Sequence, residues 1–438
     1  MGVELIPFDF PPAPKRQHLT HRLFRYPARF HPPVVAELLE RYTLPGQRIL
    51  DPFCGSGTTM IEAAARKRAA IGADVDPVAA LISRAKATPL SPSRLTRSLD
   101  LLVKRLIKWR RTDSECEDLK FSDIALEDFH HAIAPFDLPA IPNLHHWFRR
   151  YVIVDLLRIR HEIEKLDAPA SHRRFLLLCF ASIIRAASNA DPVPVSGLEV
   201  TAHMLQLEAK GRIVNTFALL DRALERSIAA MEEYSTTVAW PVHVSVLNTD
   251  VSKLARYIRV PVDAVLTSPP YHGAVDYYRR HQLEMFWLRL TKSQQERLSL
   301  LQQYIGRPHL ALSHPYVALE ELKSPSARRV YSQMLRVSRV RAAAFKHYCV
   351  SMTKAFTELA KLLTPGAPAL FVVGHSTWNN TSLNTSDLFV ELAKPLFELT
   401  EQLWYPITNR HMSYKRHNGA NIDREYVLVL RRTDHESK

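Results

Sequence analysis

The sequence is poor in glycine and cysteine and has no long apolar run. It contains 12 glycines and four cysteines in 438 residues. No two cysteines form a Cys-x-x-Cys pair, which argues against a zinc site and against a disulfide framework. The longest mostly apolar stretch, Phe175–Ile184, is closed on both sides by arginines and is shorter than the roughly 18 residues that a membrane span needs. We therefore expect no bound metal and no association with a membrane.

The overall composition is that of a folded globular protein. Hydrophobic residues make up 46% of the chain and charged residues 23%, which excludes wholesale disorder and a collagen-like chain. The first residues include an acid and a proline, Glu4 and Pro7, where a secretory signal needs a basic flank and an apolar core. We therefore expect a cytoplasmic location.

The charge of the chain is strongly positive. Lysine and arginine number 58 against 44 aspartates and glutamates, a formal net charge of +14, and the isoelectric point is about 9.6. An excess of this size suits a polyanionic partner, and nucleic acid is the partner we expect. The alternative from charge alone is an ordinary basic enzyme that binds no polyanion.

Strand-like and helix-like segments alternate at both ends of the chain. An irregular, proline-rich arm over about residues 1–20 precedes them. The predicted strands are 47–51, 69–74, 242–246, 262–267, 369–373, 399–405 and 426–430, and the predicted early helices are 33–42, 59–67 and 77–86. This order predicts an α/β protein with a doubly wound, Rossmann-like sheet, closed by an antiparallel pair of the last two strands.

Two long helical stretches interrupt this alternation. Helical periodicity dominates from about residue 90 to 235, and a second, basic and mostly helical stretch covers about 280–363. We therefore divide the chain into three parts: residues 1–90 with the first half of the sheet, a helical insertion at 91–238, and residues 239–438 with the second half.

The first candidate site is a turn of small residues, Asp51-Pro-Phe-Cys-Gly-Ser-Gly-Thr58, between a strand and a helix. Small residues let the backbone approach a ligand closely, and a helix N-terminus offers free N–H groups. The next strand ends in Asp74, where a carboxylate can accept both hydroxyls of a ribose. The GxGxxG pattern of dinucleotide-binding proteins is absent, so an ordinary tight turn is the alternative for this segment alone.

The second candidate site is Thr267-Ser-Pro-Pro-Tyr271, directly after a predicted strand. Pro269 and Pro270 donate no backbone hydrogen bond and stiffen the chain, which leaves carbonyl groups free to accept from a substrate amine. Ser268 adds a small donor and acceptor, and Tyr271 can stack on a planar base. Alone, the segment could be an ordinary loop or a proline-rich peptide ligand; the first site in the same sheet favours a catalytic loop.

Together the two segments resemble the signature motifs of the amino-group DNA methyltransferases. Asp51–Gly57 resembles their FxGxG cofactor motif, and Ser268–Tyr271 resembles their catalytic tetrapeptide in the form usual for N4-cytosine enzymes. Enzymes that act on N6 of adenine usually have Asp or Asn in place of the serine. The resemblance implies a methyltransferase sheet and S-adenosyl-L-methionine as the cofactor.

Looser similarities name further residues. His21–Phe30 resembles the segment that lines the methionine end of the cofactor, Asp74 matches the acid at the ribose, and Asn248–Asp250 matches the acid near the adenine. The implied cofactor-binding residues are Tyr26, Ala28, Phe30, Asp51, Phe53, Cys54, Gly55, Gly57, Thr58, Asp74 and Asp250. The implied catalytic residues are Ser268, Pro269, Pro270 and Tyr271.

The resemblance leaves two candidates for the region that reads DNA. The cofactor motif precedes the catalytic one, and this order resembles the arrangement in which the insertion between them, 91–238, recognises the target. The basic stretch 290–345 is the competing candidate, and 409–426 resembles the family's base-pocket region. The predicted DNA-binding residues are Arg328, Arg329, Arg410, Lys415 and Arg416.

The implied reaction is methyl transfer to N4 of a cytosine that has been flipped out of duplex DNA. Ser268 and the carbonyl group of Pro269 would hold the amine, and no covalent intermediate is required. The implied partner is double-stranded DNA. A cognate restriction endonuclease is a second one, since such enzymes commonly accompany restriction systems, and the alternative is a solitary epigenetic enzyme. The implied location is the cytoplasm of a bacterial or archaeal cell, at the nucleoid.

Other functions stay open at this point. The first is N6-adenine methylation, the second is methylation of an RNA base, and the third is a non-catalytic DNA-binding module on a decayed methyltransferase fold. Cytosine-C5 chemistry is disfavoured because its cysteine nucleophile typically follows a proline, and no cysteine here does. The histidine doublets at 130–131 and 145–146 lack zinc-binding spacing, so we expect them at the surface or facing DNA.

Overall fold

The computed structural model describes residues 3–12, 18–192, 198–238, 240–273, 277–307, 310, 322–378, 381–407 and 423–434. The strands are β1 (Leu5–Pro7), β2 (Arg48–Asp51), β3 (Ala69–Asp74), β4 (Val244–Asn248), β5 (Ala264–Thr267), β6 (Pro368–Gly374), β7 (Ser376–Trp378), β8 (Thr381–Leu383), β9 (Phe397–Pro406) and β10 (Arg424–Arg432). The helices are α1 (Pro32–Tyr42), α2 (Thr58–Ala65), α3 (Pro77–Ala87), α4 (Pro92–Leu106), α5 (Asp113–Ser122), α6 (Leu126–Ile133), α7 (Leu144–Trp147), α8 (Arg150–Glu164), α9 (Ala170–Ala187), α10 (Ala202–Ala209), α11 (Thr216–Thr237), α12 (Leu254–Tyr257), α13 (Tyr277–Arg280), α14 (Gln282–Trp287), α15 (Gln294–Leu301), α16 (Pro325–Val337), α17 (Arg339–Leu362) and α18 (Thr385–Ala393).

A single large sheet organises the described part of the chain. Its strand order is β1-β9-β10-β6-β5-β2-β3-β4. The strands β6, β5, β2, β3 and β4 are parallel, whereas β10 is antiparallel to both β6 and β9. The chain winds outwards in one direction from β2 to β4 and in the other from β5 to β9. This arrangement confirms the predicted doubly wound α/β fold and its closing antiparallel pair.

Helices cover both faces of the sheet. In β6, Leu370 and Val372 pack into one apolar cluster, while Phe371 and Val373 pack into another on the opposite face. The first cluster includes residues of α1, α2, α3, α8, α9 and α11, and the second includes residues of α12, α16, α17 and α18. Because successive strand side chains point to opposite faces, a sheet covered on both sides needs unbroken apolar strands. This explains why the strands read as continuous hydrophobic runs.

The predicted helical insertion is helical in the structure. The described residues between 92 and 237 form α4 to α11 and one short 3-10 helix, Ile107–Trp109, and no strand. Helix α9 lies at the centre of this region, with Phe175 and Phe180 fully buried, and it packs against α3, α8 and α11. The helices therefore share one apolar cluster with the sheet layer, and the domain boundaries stay a prediction.

The second helical stretch contains part of the sheet's own helical layer. Helix α17 runs for 24 residues between β5 and β6 and buries Phe345, Tyr348, Met352 and Phe356. It is thus the crossover helix that joins two parallel strands, as such a connection requires. None of the described helices combines the length and apolar composition that crossing a bilayer demands.

The prediction of an irregular N-terminal arm was wrong in one respect. Leu5–Pro7 form a strand that pairs in parallel with β9, with Leu5 opposite Gln402. The strand is three exposed residues long and ends in proline, a composition tolerated at a sheet edge but without the alternation that predicts a strand. A smaller difference concerns β4, which begins at Val244 and ends at Asn248, two residues later than predicted.

Candidate cofactor and catalytic site

One cavity collects most of the predicted site residues at the carboxyl ends of β2, β3, β4 and β5. Ligands of open α/β sheets bind at this edge, next to the point where the strand order reverses. All four predicted catalytic residues line the cavity, and so do the predicted cofactor residues with the exception of Gly57. The structure therefore brings both motifs to one place, although about two hundred residues separate them in the chain.

The cofactor turn joins β2 to α2 through two glycines with left-handed backbones. Gly55 has φ +47° and Gly57 has φ +81°, where L side chains are strained. A Cβ atom on Gly57 would lie 3.0 Å from the Cα atom of Ser83, so this glycine packs against α3, behind the cavity wall. Gly55 lies in the wall, under the ring of Tyr26.

Asp74 ends β3 and lies half-buried in the cavity wall. Its carboxylate accepts hydrogen bonds from the backbone N–H of Gly55 and from that of Asp76, both at 2.9 Å. Burial, and next the neighbouring carboxylate of Asp76, raise the pKa of Asp74 to about 7. The residue thus holds the cofactor turn in place and still presents an acidic group to the cavity.

Asp51 ends β2 and connects the two motifs directly. Its Oδ1 atom accepts a 2.6 Å hydrogen bond from the hydroxyl of Thr267 and a 3.1 Å bond from the backbone N–H of Phe53. Burial raises the pKa of Asp51 to about 6, against the opposing effect of these hydrogen bonds.

The second motif forms a loop between β5 and the cavity. Pro269 is buried, and Ser268, Pro270 and Tyr271 are half-buried at the cavity wall. The hydroxyl of Tyr271 donates a 2.9 Å hydrogen bond to Glu425. Burial, and next that carboxylate, raise the pKa of Tyr271 well above its ordinary value, so the phenol keeps its proton and acts as a donor.

Asp250, the acid predicted near the adenine, lines the cavity where it borders the carboxyl end of β4. Its carboxylate accepts from the backbone N–H of Ser252 at 2.8 Å and from the Ser252 hydroxyl at 2.7 Å. The side-chain amide of Asn248 donates to the backbone oxygens of Asp74 and Val75 and so ties β4 to the end of β3.

Sequence analysis missed a group of aromatic and polar residues that complete the wall. Tyr277 stacks on Tyr26 with ring centroids 5.5 Å apart, and the Nδ1 atom of His281 donates a 2.6 Å hydrogen bond to the buried carboxylate of Asp76. Tyr304 also lines the cavity. These residues belong to no motif, and the concentration of aromatic residues shortly after the tetrapeptide is the one signal that could have indicated them.

Two of the predicted DNA-binding residues, Arg328 and Arg329, do not line this cavity. Arg328 and Arg329 are exposed on α16, where Arg328 donates to the backbone oxygens of Leu322 and Lys323. The other three predicted residues, Arg410, Lys415 and Arg416, lie outside the described residues.

One group of possible metal ligands occurs in the part of the chain that the structure describes. Ligand atoms of His18, His21 and Glu62 lie within 4.8 Å of one another. The Glu62 carboxylate is already bonded to His21 at 2.6 Å and to Arg66 at 2.5 Å, and burial lowers the pKa of His21 to about 4. The histidine doublets take no part in this group, and the absence of a metal stays a prediction.

Known proteins resemble this chain in sequence. The family model of N6/N4 methyltransferases, described as a DNA methylase, matches residues 8–84, which include the cofactor turn and Asp74. The type II methyltransferase M.MvaI from Kocuria varians is 24% identical over 437 residues, which cover 95% of this chain and 91% of that protein. Both findings support the predicted resemblance to the N4/N6 amino-methyltransferase family. A methyltransferase is thus supported, as the resemblance implied, while the role of the cavity stays a prediction.

Two further similarities are more limited. The type II methyltransferase M.MjaII from Methanocaldococcus jannaschii is 27% identical over 122 residues, 28% of this methyltransferase and 23% of that protein. Among solved structures, TrmN from Thermus thermophilus aligns with 92% of this chain and 49% of its own, at 11% identity and a TM-score of 0.29. A similarity of that size carries no conclusion about activity.

Proposed function

We propose that this methyltransferase transfers a methyl group from S-adenosyl-L-methionine to the N4 amino group of cytosine in double-stranded DNA. The observation that supports it most is the hydrogen bond between Asp51 and Thr267, because it joins a cofactor turn and a Ser-Pro-Pro-Tyr loop at one cavity. The serine at position 268 favours cytosine over adenine, for which the family usually has an acid or an amide there.

The residues of the cavity fit S-adenosyl-L-methionine. The glycine turn allows close approach of a ligand, and a Cβ atom on Gly55 would already lie 3.3 Å from the Tyr26 ring. Asp74 offers a carboxylate to ribose hydroxyls, Asp250 stands near the adenine, and Arg29 supplies a cationic group for a carboxylate. When bound, the cofactor supplies an electrophilic methyl group on a sulfonium centre.

The tetrapeptide would act on the target base. A cytosine must leave the duplex because base pairing occupies its amino group, and stacking on Tyr271 would offset part of the few kcal/mol that flipping costs. Ser268 and the Pro269 carbonyl would accept hydrogen bonds from the amine and favour a pyramidal nitrogen. Positioning and electrostatics then provide the rate enhancement, without a covalent intermediate.

The sequence similarity to M.MvaI supports a further proposal about the biological setting. That relative carries the name of a type II methyltransferase and aligns over nearly the whole chain. We infer that this enzyme also modifies a short duplex sequence, with a restriction endonuclease as its partner, in the cytoplasm at the nucleoid. The helices at 91–238 are our candidate for recognition of that sequence.

Sequencing of DNA from cells that express the protein, with detection of modified bases, tests this proposal. We expect N4-methylcytosine at one short recurrent sequence, and DNA so modified should resist one restriction enzyme that cuts unmodified DNA at that sequence. N6-methyladenine without N4-methylcytosine would overturn the choice of base. Methyl transfer to total RNA but not to duplex DNA would overturn the choice of substrate.

A further inference from the structure

One carboxylate in the cavity wall has no part in the functions assigned so far. Glu425 is the second residue of β10 and lies half-buried at the cavity, on the side of the catalytic loop. Neither motif contains it, and its position depends on the pairing of β10 with β6 and β9.

Each oxygen of Glu425 accepts a hydrogen bond from a different tyrosine. The hydroxyl of Tyr271 donates to Oε1 at 2.9 Å, and the hydroxyl of Tyr405 donates to Oε2 at 2.5 Å. Hydrogen bonds to an ionised carboxylate are about twice as strong as neutral ones. The carboxylate is therefore a bridge from the catalytic loop to strand β9.

Tyr405, at the β9 end of this bridge, is held by close packing. Tyr405 is 3% exposed and lies directly opposite Glu425 in the antiparallel pair of β9 and β10. Its ring packs against Phe8 and Phe10, with centroids 6.2 and 5.3 Å away. Because β1 pairs with β9 and both phenylalanines follow shortly after β1 in the chain, the N-terminal segment supports the same anchor.

This anchor bears on the orientation of the Tyr271 ring. The ring stands at the end of a loop, and two side-chain torsions would otherwise let it turn. A bond at the hydroxyl fixes the end of the side chain farthest from the backbone. The ring is then already oriented before a base binds. Binding therefore costs less conformational entropy than it would with a freely turning ring.

We propose that Glu425 is a positioning residue of this methyltransferase, which orients the Tyr271 ring against the target base through its hydroxyl while Tyr405 holds the carboxylate in place. The inference rests on the proposed function, in which Tyr271 receives a flipped base. Glu425 itself need not touch the cofactor or the reacting atoms.

A double-mutant cycle on Glu425 and Tyr271 tests the proposal. The single-turnover rate of methyl transfer to duplex DNA and the affinity for S-adenosyl-L-methionine are measured for the wild type, Glu425→Ala, Tyr271→Phe and the double variant. We expect Glu425→Ala to lower the rate about 10- to 100-fold and to change cofactor affinity less than about threefold. In the Tyr271→Phe background, the same change should lower the rate by less than about threefold, because the hydroxyl through which it acts is already gone.

The chain offers a matched control on the neighbouring strand. Glu401 of β9 accepts a 2.8 Å hydrogen bond from the hydroxyl of Tyr42 and does not line the cavity. Glu401→Ala thus removes the same kind of bond and should leave the transfer rate unchanged. If it slows transfer as much as Glu425→Ala does, the effect comes from the sheet edge and the positioning role is wrong.

Other outcomes separate this inference from the proposed function. Equal rate losses from Glu425→Ala in the wild-type and Tyr271→Phe backgrounds, or no loss at all, would overturn the positioning role alone. If Glu425→Ala fails to bind the cofactor, Tyr405→Phe is the deciding variant. It removes the hydrogen bond that Tyr405 donates to Glu425 but leaves the one that Tyr271 donates, so the carboxylate loses its support on β9. An unchanged transfer rate in this variant would count against the proposal. A wild-type protein that transfers no methyl group to DNA would overturn both.

Discussion

The hydroxyl of Thr267 donates a 2.6 Å hydrogen bond to the carboxylate of Asp51, across 216 positions of sequence. The two residues are the last of β5 and β2, strands that pair directly in the middle of the sheet. Each residue immediately precedes one of the functional loops, so a single bond fixes the start of both. The separation of the motifs along the chain therefore has no bearing on the geometry of the site.

Removal of this bond should affect both stability and activity. Thr267→Val keeps the shape of the side chain but leaves the buried Asp51 carboxyl without one partner. We expect the free energy of unfolding to fall by about 1–3 kcal/mol in urea denaturation and the rate of methyl transfer to fall with it. Thr267→Ser retains a hydroxyl and should recover most of both. A valine variant with the stability and rate of the wild type would mean that the bond does not hold the loops together.

The cofactor turn depends on space as well as on backbone conformation at Gly57. Gly57→Ala would bring a Cβ atom within 3.0 Å of the Ser83 backbone, whereas Gly46, with φ +88°, has no neighbouring atom within 4 Å. Gly46→Ala should therefore report backbone strain alone, about 1–2 kcal/mol of unfolding free energy. We expect Gly57→Ala to lose about 1–3 kcal/mol more and to weaken cofactor binding, measured by urea denaturation and calorimetry. Equal losses from the two variants would show that packing against α3 is unimportant.

Local pattern predicted much of the fold and the two motifs. Parallel strands such as Ala264–Thr267 are buried on both faces, so their apolar runs stand out in the sequence, and the turn at Gly55 and Gly57 carries a recognisable composition. These patterns depend only on a few consecutive residues, and the strands and turns that they predict occur at the predicted positions in the structure.

The residues that sequence analysis missed depend on contacts distant in the chain. His281 meets Asp76 across 205 positions, and Glu425 reaches Tyr271 because of the register between β10 and its neighbours. Neither contact leaves a local pattern. At Gly57 a local pattern predicts a ligand contact that the structure does not show. A Cβ atom at this position would face Ser83 of α3.

If Asp74 binds the ribose as proposed, its pKa should make cofactor binding sensitive to pH. Burial and the carboxylate of Asp76 raise that pKa to about 7. An ionised carboxylate can accept from both ribose hydroxyls, whereas a protonated one gives up part of its acceptor capacity. We therefore expect the affinity for S-adenosyl-L-methionine, measured by calorimetry, to rise between about pH 6 and pH 8.

Asp74→Asn tests whether Asp74, and not another ionisable group, causes this pH dependence. The variant should bind the cofactor more weakly by roughly 1–3 kcal/mol and lose the rise in affinity near neutral pH. Stability should depend on pH in the opposite direction to affinity. Because the pKa of Asp74 is higher in the folded protein than in an unfolded chain, the wild-type free energy of unfolding should fall as pH rises from about 4 to about 7. The fall should be smaller in the variant. Asp221→Asn alters the ion pair between Asp221 and Arg110, neither of which lines the cavity, and should leave the pH dependence of affinity unchanged. The same pH dependence in Asp74→Asn as in the wild type would place the titrating group elsewhere.

Ser268 is expected to act on the substrate amine and not on the cofactor. Its hydroxyl lies at the cavity wall beside the buried Pro269, so Ser268→Ala removes a hydrogen-bonding group with little change in packing. We expect the single-turnover rate at saturating cofactor to fall about 10- to 100-fold. Cofactor affinity measured by calorimetry should change less than about threefold. Ser299→Ala, at an exposed serine of α15, provides the control and should behave as the wild type. If Ser268→Ala instead weakens cofactor binding and retains the full rate at saturation, the serine belongs to the cofactor side of the cavity.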